Sequence, residues 1–207
     1  MAETSAAGTA PASETPVSEG EIYEGASFDL KRIRKSVFAS MLESKSRYGG
    51  KRIAAIDADG REVSFNDLTK AAFALGHALK AGTEPGEAIG VLLPTGVGAI
   101  ISFYALTAYG RVPAMLNFTA GERALKAACT ACKAKKIITA HRFIELGELE
   151  DLEAELKQDH ELIYLEDVRE NLSLMDKIAA AVGTVLPGLV RSHPDPDSPA
   201  VYLFNSG

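Results

Sequence analysis

The residues best suited to chemistry are three small polar residues that follow an apolar stretch. Ala200–Phe204 predicts a strand, and Asn205, Ser206 and Gly207 come directly after it. Taken alone, Asn-Ser-Gly is typical of an ordinary polar turn. After a buried strand, however, a loop containing glycine can bind phosphate through its backbone N–H groups, because glycine lets the backbone approach the anion closely. These residues therefore begin either a turn or a phosphate-binding loop.

The two cysteines form a Cys-x-x-Cys spacing, which occurs in redox and zinc sites. A redox pair normally lies at a helix N-terminus, whereas Cys129 and Cys132 fall within a predicted helix over 124–135. The histidines, at positions 77, 141, 160 and 193, have no spacing that would complete a metal site or a catalytic triad. We therefore interpret both cysteines as core side chains, assign no catalytic or metal-binding residue, and infer a reducing compartment.

Charge is distributed unevenly along the sequence. The formal net charge is -6, but residues 1–26 contain five glutamates and no Lys or Arg, which leaves about -1 for the remainder. A near-neutral remainder gives no reason to expect nucleic acid as a partner, since that binding needs clustered Lys and Arg. Residues 1–26 have almost nothing to bury, so they predict a disordered acidic tail, and they lack the features of a secretory signal or transit peptide.

A basic cluster lies between Lys31 and Arg52, where Glu43 is the only acidic residue. A solvated face is the favoured interpretation. Contact with an anionic membrane surface or with an acidic carrier protein is the alternative, because either would be attracted to local positive charge.

Hydrophobic periodicity predicts an α/β fold. A helix over 37–48 is capped by Ser36, a hairpin turns at Asp59-Gly60, and a second helix begins with the capping pattern of Ser64 and Asp67. Predicted strands at 88–93, 113–117, 136–139, 161–165 and 200–204 then alternate with helices. Apolar strands alternating with helices are what a mostly parallel sheet with helices on both faces requires.

Two apolar stretches raise the question of a membrane. Residues 88–110 contain no charged residue, but Pro94 and several glycines divide them into a strand, a turn and a helix, with Ile100, Ile101 and Phe103 expected in its interior. Residues 173–190 carry large apolar side chains at helical spacing and could lie on a bilayer. Their polar face has almost no Lys or Arg, so we expect this helix to be buried against the sheet.

Three segments resemble, in order, segments of the adenylate-forming enzymes, which comprise acyl-CoA synthetases, peptide-synthetase adenylation domains and luciferases. Val63–Leu68 resembles the Thr-Tyr-x-Glu-Leu start of their first helix. Ala105–Asn117 resembles their Ala-x-x-x-x-Gly-x-x-x-x-Pro-Leu-Asn segment, with the proline displaced. Asp197–Gly207 resembles the strand leading into their Thr-Ser-Gly-Ser-Thr-Gly-x-Pro-Lys-Gly phosphate loop, with Asn205 where most members have Thr.

Within this superfamily, Pro113–Gly121 and Tyr164–Asp167 resemble the synthetase half of the bacterial acyl-ACP synthetase/2-acylglycerophosphoethanolamine acyltransferase family. The resemblance implies that a fatty acid attacks ATP, assisted by Mg²⁺, to give acyl-AMP, and that a phosphopantetheine thiol of acyl carrier protein or CoA then takes the acyl group. It also implies that Asn205, Ser206 and Gly207 contact ATP. A role in phospholipid acylation would follow, with a cytoplasmic location and contact with the inner membrane as an open alternative.

The resemblance also implies that residues 27–207 are an incomplete N-terminal subdomain, which needs the missing C-terminal part of the same chain. We therefore expect this chain alone to be inactive. The alternative is a self-contained, non-catalytic nucleotide-binding or regulatory α/β module. A dinucleotide-dependent oxidoreductase is disfavoured, because no G-x-G-x-x-G follows a strand.

Overall fold

The computed structural model of this protein describes residues 33–204. The predicted acidic tail over 1–26 and the candidate site residues Asn205, Ser206 and Gly207 lie outside the described residues. The elements below belong to one compact unit that begins at Arg34. In chain order they are α1 (Val37–Tyr48), β1 (Ile53–Ile56), β2 (Glu62–Ser64), α2 (Phe65–Lys80), β3 (Ala88–Val91), α3 (Val97–Ala108), β4 (Val112–Met115), a 3-10 turn (Phe118–Ala120), α4 (Glu122–Cys132), β5 (Lys136–Thr139), α5 (His141–Leu146), α6 (Glu150–Asp159), β6 (Glu161–Tyr164), α7 (Leu165–Glu170), α8 (Leu174–Val185), α9 (Pro187–Val190) and β7 (Tyr202–Leu203).

The first elements confirm the capping and turn predictions. The Ser36 side chain accepts a hydrogen bond from the Ala39 N–H and begins α1, and the Ser64 side chain accepts one from the Asp67 N–H and begins α2. Between them β1 and β2 pair as an antiparallel hairpin around Gly60, which has φ +82°. This part of the fold follows from local sequence alone.

A five-stranded parallel sheet in the order β6-β5-β3-β4-β7 forms the centre of the unit. All four residues of β3 are buried, which is expected of a central strand with helices on both faces. One face packs Ile89, Val91 and Ile138 against α2 and α3, and the other packs Ile137 against α4 and α6. The predicted α/β fold with a mostly parallel sheet is confirmed.

The predicted burial of residues 173–190 against the sheet is wrong. Helix α8 packs on α2 through Ala179, Ala180 and Gly183, and a Cβ added to Gly183 would lie 2.5 Å from Cδ2 of Phe73. The large apolar side chains point the other way and are exposed, namely Leu174, Met175, Ile178, Val182, Val185, Leu186 and Leu189. Small residues allow two helices to approach closely, so the buried side of α8 is the side that carries Ala and Gly. The stripe of large apolar side chains, which periodicity predicts as the core side, therefore lies at the surface.

The side of α3 that is buried also differs from the prediction. Ile100, Ile101 and Phe103 are only half-buried, whereas Ser102 and Leu106 are buried. Residues 88–110 form β3, a turn and α3, as the sequence predicts. Within residues 33–204, we find no helix with the length and hydropathy that a membrane span requires.

A side-chain hydrogen bond between His77 and Asp176 holds α8 on α2. His77 Nδ1 lies 2.6 Å from Asp176 Oδ1, and the other carboxylate oxygen accepts hydrogen bonds from the Ser173 N–H at 2.7 Å and its hydroxyl at 2.6 Å. Burial opposes ionisation of Asp176, but the hydrogen bonds from Ser173 and His77 outweigh that effect and hold its pKa below the ordinary value. The carboxylate therefore stabilises the helix pair in its charged form.

We expect Asp176→Asn to lower the free energy of unfolding by about 1.5–3 kcal/mol at neutral pH, because hydrogen bonds to a charged group are lost. Since the pKa of Asp176 is lowered on folding, its stabilisation is complete above ~pH 4 and is lost as the pH falls further. Urea denaturation at neutral pH and near pH 3 should show the difference between parent and variant shrinking with acid. Asp159→Asn, at an exposed carboxylate, is the control, and an equal loss there would contradict the assignment.

Candidate functional site

An open groove of about 930 Å³ lies at the carboxyl edge of the sheet. It is formed where β3, β4 and β7 end, between the loop 92–96 and the segment 116–118, with α1 and α3 on its side. In open parallel sheets, ligands bind outside the carboxyl ends of the strands, where successive loops diverge to opposite faces. The groove therefore occupies the position where this fold binds ligands.

The side chains around the groove are apolar or neutral. They include Ile100, Phe103, Met115, Phe118 and Leu203, and none of the described side chains that line it is charged. The polar ones are Ser44, Thr95, Tyr104 and Asn117. Such a surface favours an uncharged apolar group over a charged one, because a charge would lose hydration without gaining a partner.

The hydrogen bonds of Asn117 and the protonation state of Tyr104 are both determined by their surroundings. The Asn117 side-chain oxygen accepts hydrogen bonds from the Thr119 N–H at 3.0 Å and the Thr119 hydroxyl at 2.8 Å, which holds the segment after β4 in its 3-10 turn. Burial raises the pKa of Tyr104, so its hydroxyl stays protonated at neutral pH. Both groups can position a ligand, and neither can act as a base.

The N-terminus of α3, which faces the groove, already binds a carboxylate. The Asp57 Oδ1 atom accepts hydrogen bonds from the Ala58 N–H at 3.1 Å and the Val97 N–H at 3.4 Å. Gly96 makes this approach possible, because a Cβ there would lie 2.6 Å from the same oxygen. The positive end of the α3 dipole is therefore compensated by the protein itself.

The N-terminus of α5 at the same edge is also occupied. The Glu166 carboxylate accepts hydrogen bonds from the His141 N–H at 3.0 Å and the Arg142 N–H at 3.2 Å. Burial opposes ionisation of Glu166, but these backbone hydrogen bonds outweigh it and lower its pKa. At both helix N-termini a carboxylate of the protein therefore already accepts from backbone N–H groups, Val97 in α3 and His141 and Arg142 in α5.

Strand β7 ends at the carboxyl edge of the sheet. It runs parallel to β4, with Met115 opposite Leu203, so both strands end beside the groove. Asn205, Ser206 and Gly207 follow Phe204 in sequence, and their contact with phosphate stays a prediction. The apolar groove residues were not predicted from the sequence, although the rule that ligands bind at the carboxyl ends of strands points to 116–118.

The two cysteines are core residues, as predicted. Cys129 and Cys132 are buried, unbonded to each other, and packed between α4 and the sheet. Burial raises the pKa of the Cys129 thiol to about 11, so it is not a nucleophile at neutral pH.

Residues 33–204 contain no group of three His, Cys, Asp or Glu side chains placed to hold a metal ion.

Comparison with known proteins places the chain in a family. The fold is shared with VinN in complex with 3-methylaspartate at 18% identity and a TM-score of 0.67, covering 84% of this chain and 45% of VinN. It is shared with the anthranilate CoA ligase AuaEII in complex with anthranoyl-AMP at 19% identity and a TM-score of 0.62, covering 84% of this chain and 32% of that one. The N-terminal subdomain of Klebsiella oxytoca NpsA in complex with 3-hydroxyanthranilyl-AMSN matches at 19% identity and a TM-score of 0.61, covering 84% of this chain and 38% of that one.

These similarities show the fold of the N-terminal part of adenylate-forming enzymes. The chain spans less than half the length of each matched structure. The family model described as AMP-binding enzyme matches residues 42–207, most of the sequence. The chain therefore belongs to the AMP-binding enzyme family.

Proposed function

We propose that this chain is the N-terminal part of an AMP-forming ligase that activates a fatty acid. The carboxylate oxygen attacks the α-phosphorus of ATP, and the bond to pyrophosphate breaks to give acyl-AMP. The sulfur of a phosphopantetheine thiol, on acyl carrier protein or CoA, then attacks the acyl carbon and AMP leaves. The activity belongs to a longer protein, because the chain covers only part of the matched ligase structures.

The apolar groove is the observation that carries this proposal. It lies where the fold binds ligands, and its described lining offers aliphatic and aromatic side chains without a charge. An amino acid substrate would need partners for its ammonium group, and the described part of the groove lining provides no carboxylate for one. A fatty acyl chain needs only apolar contact.

Two further points support the proposal. The resemblance of Asp197–Gly207 to the phosphate loop implies that Asn205, Ser206 and Gly207 would supply N–H groups to the phosphates. The resemblance of Pro113–Gly121 to acyl-ACP synthetases favours acyl carrier protein as the acceptor and a role in phospholipid acylation. In this arrangement the protein acts by positioning the carboxylate and stabilising charge on the phosphates, not by covalent catalysis.

Exchange of labelled pyrophosphate into ATP by the ligase that contains this chain tests the proposal. We expect exchange that depends on a long-chain fatty acid and is weak with aspartate. Exchange with aspartate but not with fatty acids would contradict the assigned substrate class. ATP binding without exchange for any carboxylic acid would favour the alternative, a non-catalytic nucleotide-binding or regulatory module.

The groove itself can be tested at Leu203. We expect Leu203→Asn in the ligase to raise KM for a long-chain fatty acid by roughly tenfold, because burying a leucine side chain contributes about 1.5–3 kcal/mol. Leu146→Asn is the matched control, since Leu146 is 73% exposed and Leu203 is 72% exposed, but Leu146 lies outside the groove. Equal KM values for parent and Leu203→Asn, with unchanged melting temperatures, would show that the acyl chain binds elsewhere.

A further inference from the structure

Asn117 is a polar residue in the largely apolar lining of the groove. It follows β4, which pairs with β3 on one side and with β7 on the other. Met115 lies opposite Leu203 of β7, and residues 205–207, the predicted phosphate loop, follow that strand in sequence. Asn117 therefore lies at the end of the groove where β7 leads toward the predicted loop.

Hydrogen bonds fix the orientation of the Asn117 amide group. Its Oδ1 atom accepts from the Thr119 N–H at 3.0 Å and from the Thr119 hydroxyl at 2.8 Å. A backbone N–H can only donate, so its partner must be the amide oxygen, and the two N–H donors of Nδ2 remain. Within residues 33–204, these two donors have no hydrogen-bond partner. Asn117 is exposed, so both are open to a ligand.

The chain on both sides of Asn117 is held in place. Before it, the Leu116 N–H donates to the Val91 carbonyl at 3.0 Å, and the Leu116 side chain is buried. After it, the Phe118 ring packs edge-on against Phe143, with 5.1 Å between the ring centres. A donor on rigid supports can position a substrate group precisely, because little of its own freedom is lost on binding.

The other polar side chains that line the described groove are less suited to an anion. The Ser44 hydroxyl already donates to a carbonyl of its own helix at 3.1 Å. The Tyr104 ring lies 5.4 and 6.3 Å from two phenylalanine rings, so an anion beside it would lose hydration. Thr95 also borders a neighbouring pocket that contains the Asp57 carboxylate, which would repel a second negative charge. Asn117 is therefore the groove residue best placed to bind one.

We propose that Asn117 binds the carboxylate of the substrate through its Nδ2 donors. This inference rests on the proposed function, because the ligand is the carboxylic acid that the ligase activates. One carboxylate oxygen attacks the α-phosphorus of ATP, and the bond to pyrophosphate breaks. The other oxygen accepts the hydrogen bond from Asn117 and becomes the carbonyl oxygen of acyl-AMP. No proton is transferred in this step.

A neutral donor suits a carboxylate that must act as a nucleophile. A Lys or Arg partner would form a stronger, charge-assisted hydrogen bond and would withdraw more electron density from the attacking oxygen. An amide orients the carboxylate with a smaller loss of nucleophilicity. The rest of the acid can then enter the apolar part of the groove, while the carboxylate stays beside an exposed residue and keeps part of its hydration.

The variant Asn117→Asp separates substrate binding from the structural role of this side chain. Aspartate can accept the same two hydrogen bonds from Thr119, so the 3-10 turn is retained. It has no Nδ2 donors, and its second oxygen repels the substrate carboxylate. In the ligase that contains this chain, we expect KM for the carboxylic acid to rise by roughly ten- to a hundredfold, the range for a lost hydrogen bond to a charged group. KM for ATP and the melting temperature should stay unchanged. Pyrophosphate exchange at varied acid and ATP concentrations measures both KM values.

Thr119→Val is the matched control, because it removes one hydrogen bond to Oδ1 and leaves the Nδ2 donors in place. Its KM for the acid should stay near the parental value. A parental KM in Asn117→Asp, or an equal rise in Thr119→Val, would overturn the inference. So would a rise in KM for ATP alone, which would place Asn117 at the phosphates.

The experiment uses whichever carboxylic acid supports exchange by the parent ligase, so it does not depend on a fatty acid being the substrate. Exchange with aspartate but not with fatty acids would contradict the proposed substrate class, and the variants would then be compared with aspartate. Absence of exchange with every carboxylic acid would overturn both the proposed function and the role of Asn117.

Discussion

Replacing Gly207 by Val in the ligase that contains this chain is expected to reduce formation of acyl-AMP by on the order of a hundredfold or more. In the proposed function, the backbone N–H groups of residues 205–207 approach the ATP phosphates closely, and a branched side chain would obstruct that approach. The nearby N-termini of α3 and α5 each already bind a carboxylate of the protein, Asp57 and Glu166. Pyrophosphate exchange measures the loss.

Ser206→Ala is a milder variant for comparison with Gly207→Val. It removes a single hydrogen bond to a charged group, which contributes about 1.5–3 kcal/mol, so its effect should be clearly smaller. We expect both variants to melt like the parent, because the predicted phosphate loop would contribute little apolar surface to the core. Acyl-AMP formation at the parental rate by the Gly207→Val protein would mean that this segment does not bind phosphate. The non-catalytic module would then be the better account.

Local signals explain why much of the fold could be predicted. Ser36 and Ser64 cap helices through their own side chains, and Pro94 interrupts an apolar run at the point where β3 gives way to α3. The buried strand β3 was recognisable from its uninterrupted apolar sequence. In each case the property that determines the structure lies within a few residues of the position concerned.

The two errors have a common cause. In α8 the buried side is made of small residues such as Gly183, and in α3 it combines small residues such as Ser102 with Val97 and Leu106. Larger residues such as Leu174 and Phe103 lie toward the surface or the groove. Hydrophobic periodicity gives weight to large side chains, so it selects the wrong side where helices approach closely. The groove was missed for a related reason, because its lining comes from α1, α3, β4 and β7, which are distant in sequence.

Close helix packing also leads to the largest expected effect on stability. Gly76 lies on the side of α2 that meets α3, and a Cβ there would be 2.4 Å from Cδ2 of Tyr109 and 2.5 Å from the Ala105 carbonyl oxygen. The Tyr109 ring is held in place, since its hydroxyl donates a hydrogen bond to the Phe73 carbonyl at 3.3 Å. The carbonyl belongs to the α3 backbone, so the two helices would have to separate to admit a methyl group.

We therefore expect Gly76→Ala to lower the free energy of unfolding by about 3 kcal/mol, the upper part of the range for overpacked cores. That loss exceeds the gain of about 1 kcal/mol that Ala normally brings to a helix interior. Gly98→Ala in α3 is the matched control, because its Cβ would lie 3.5 Å from Leu165 Cδ1, an ordinary contact. Gly98→Ala should be neutral or slightly stabilising in urea denaturation followed by circular dichroism. If Gly76→Ala is as stable as the parent, α2 and α3 do not pack as closely as this structure has them, and the position of α8, which is built on α2, must also be revised.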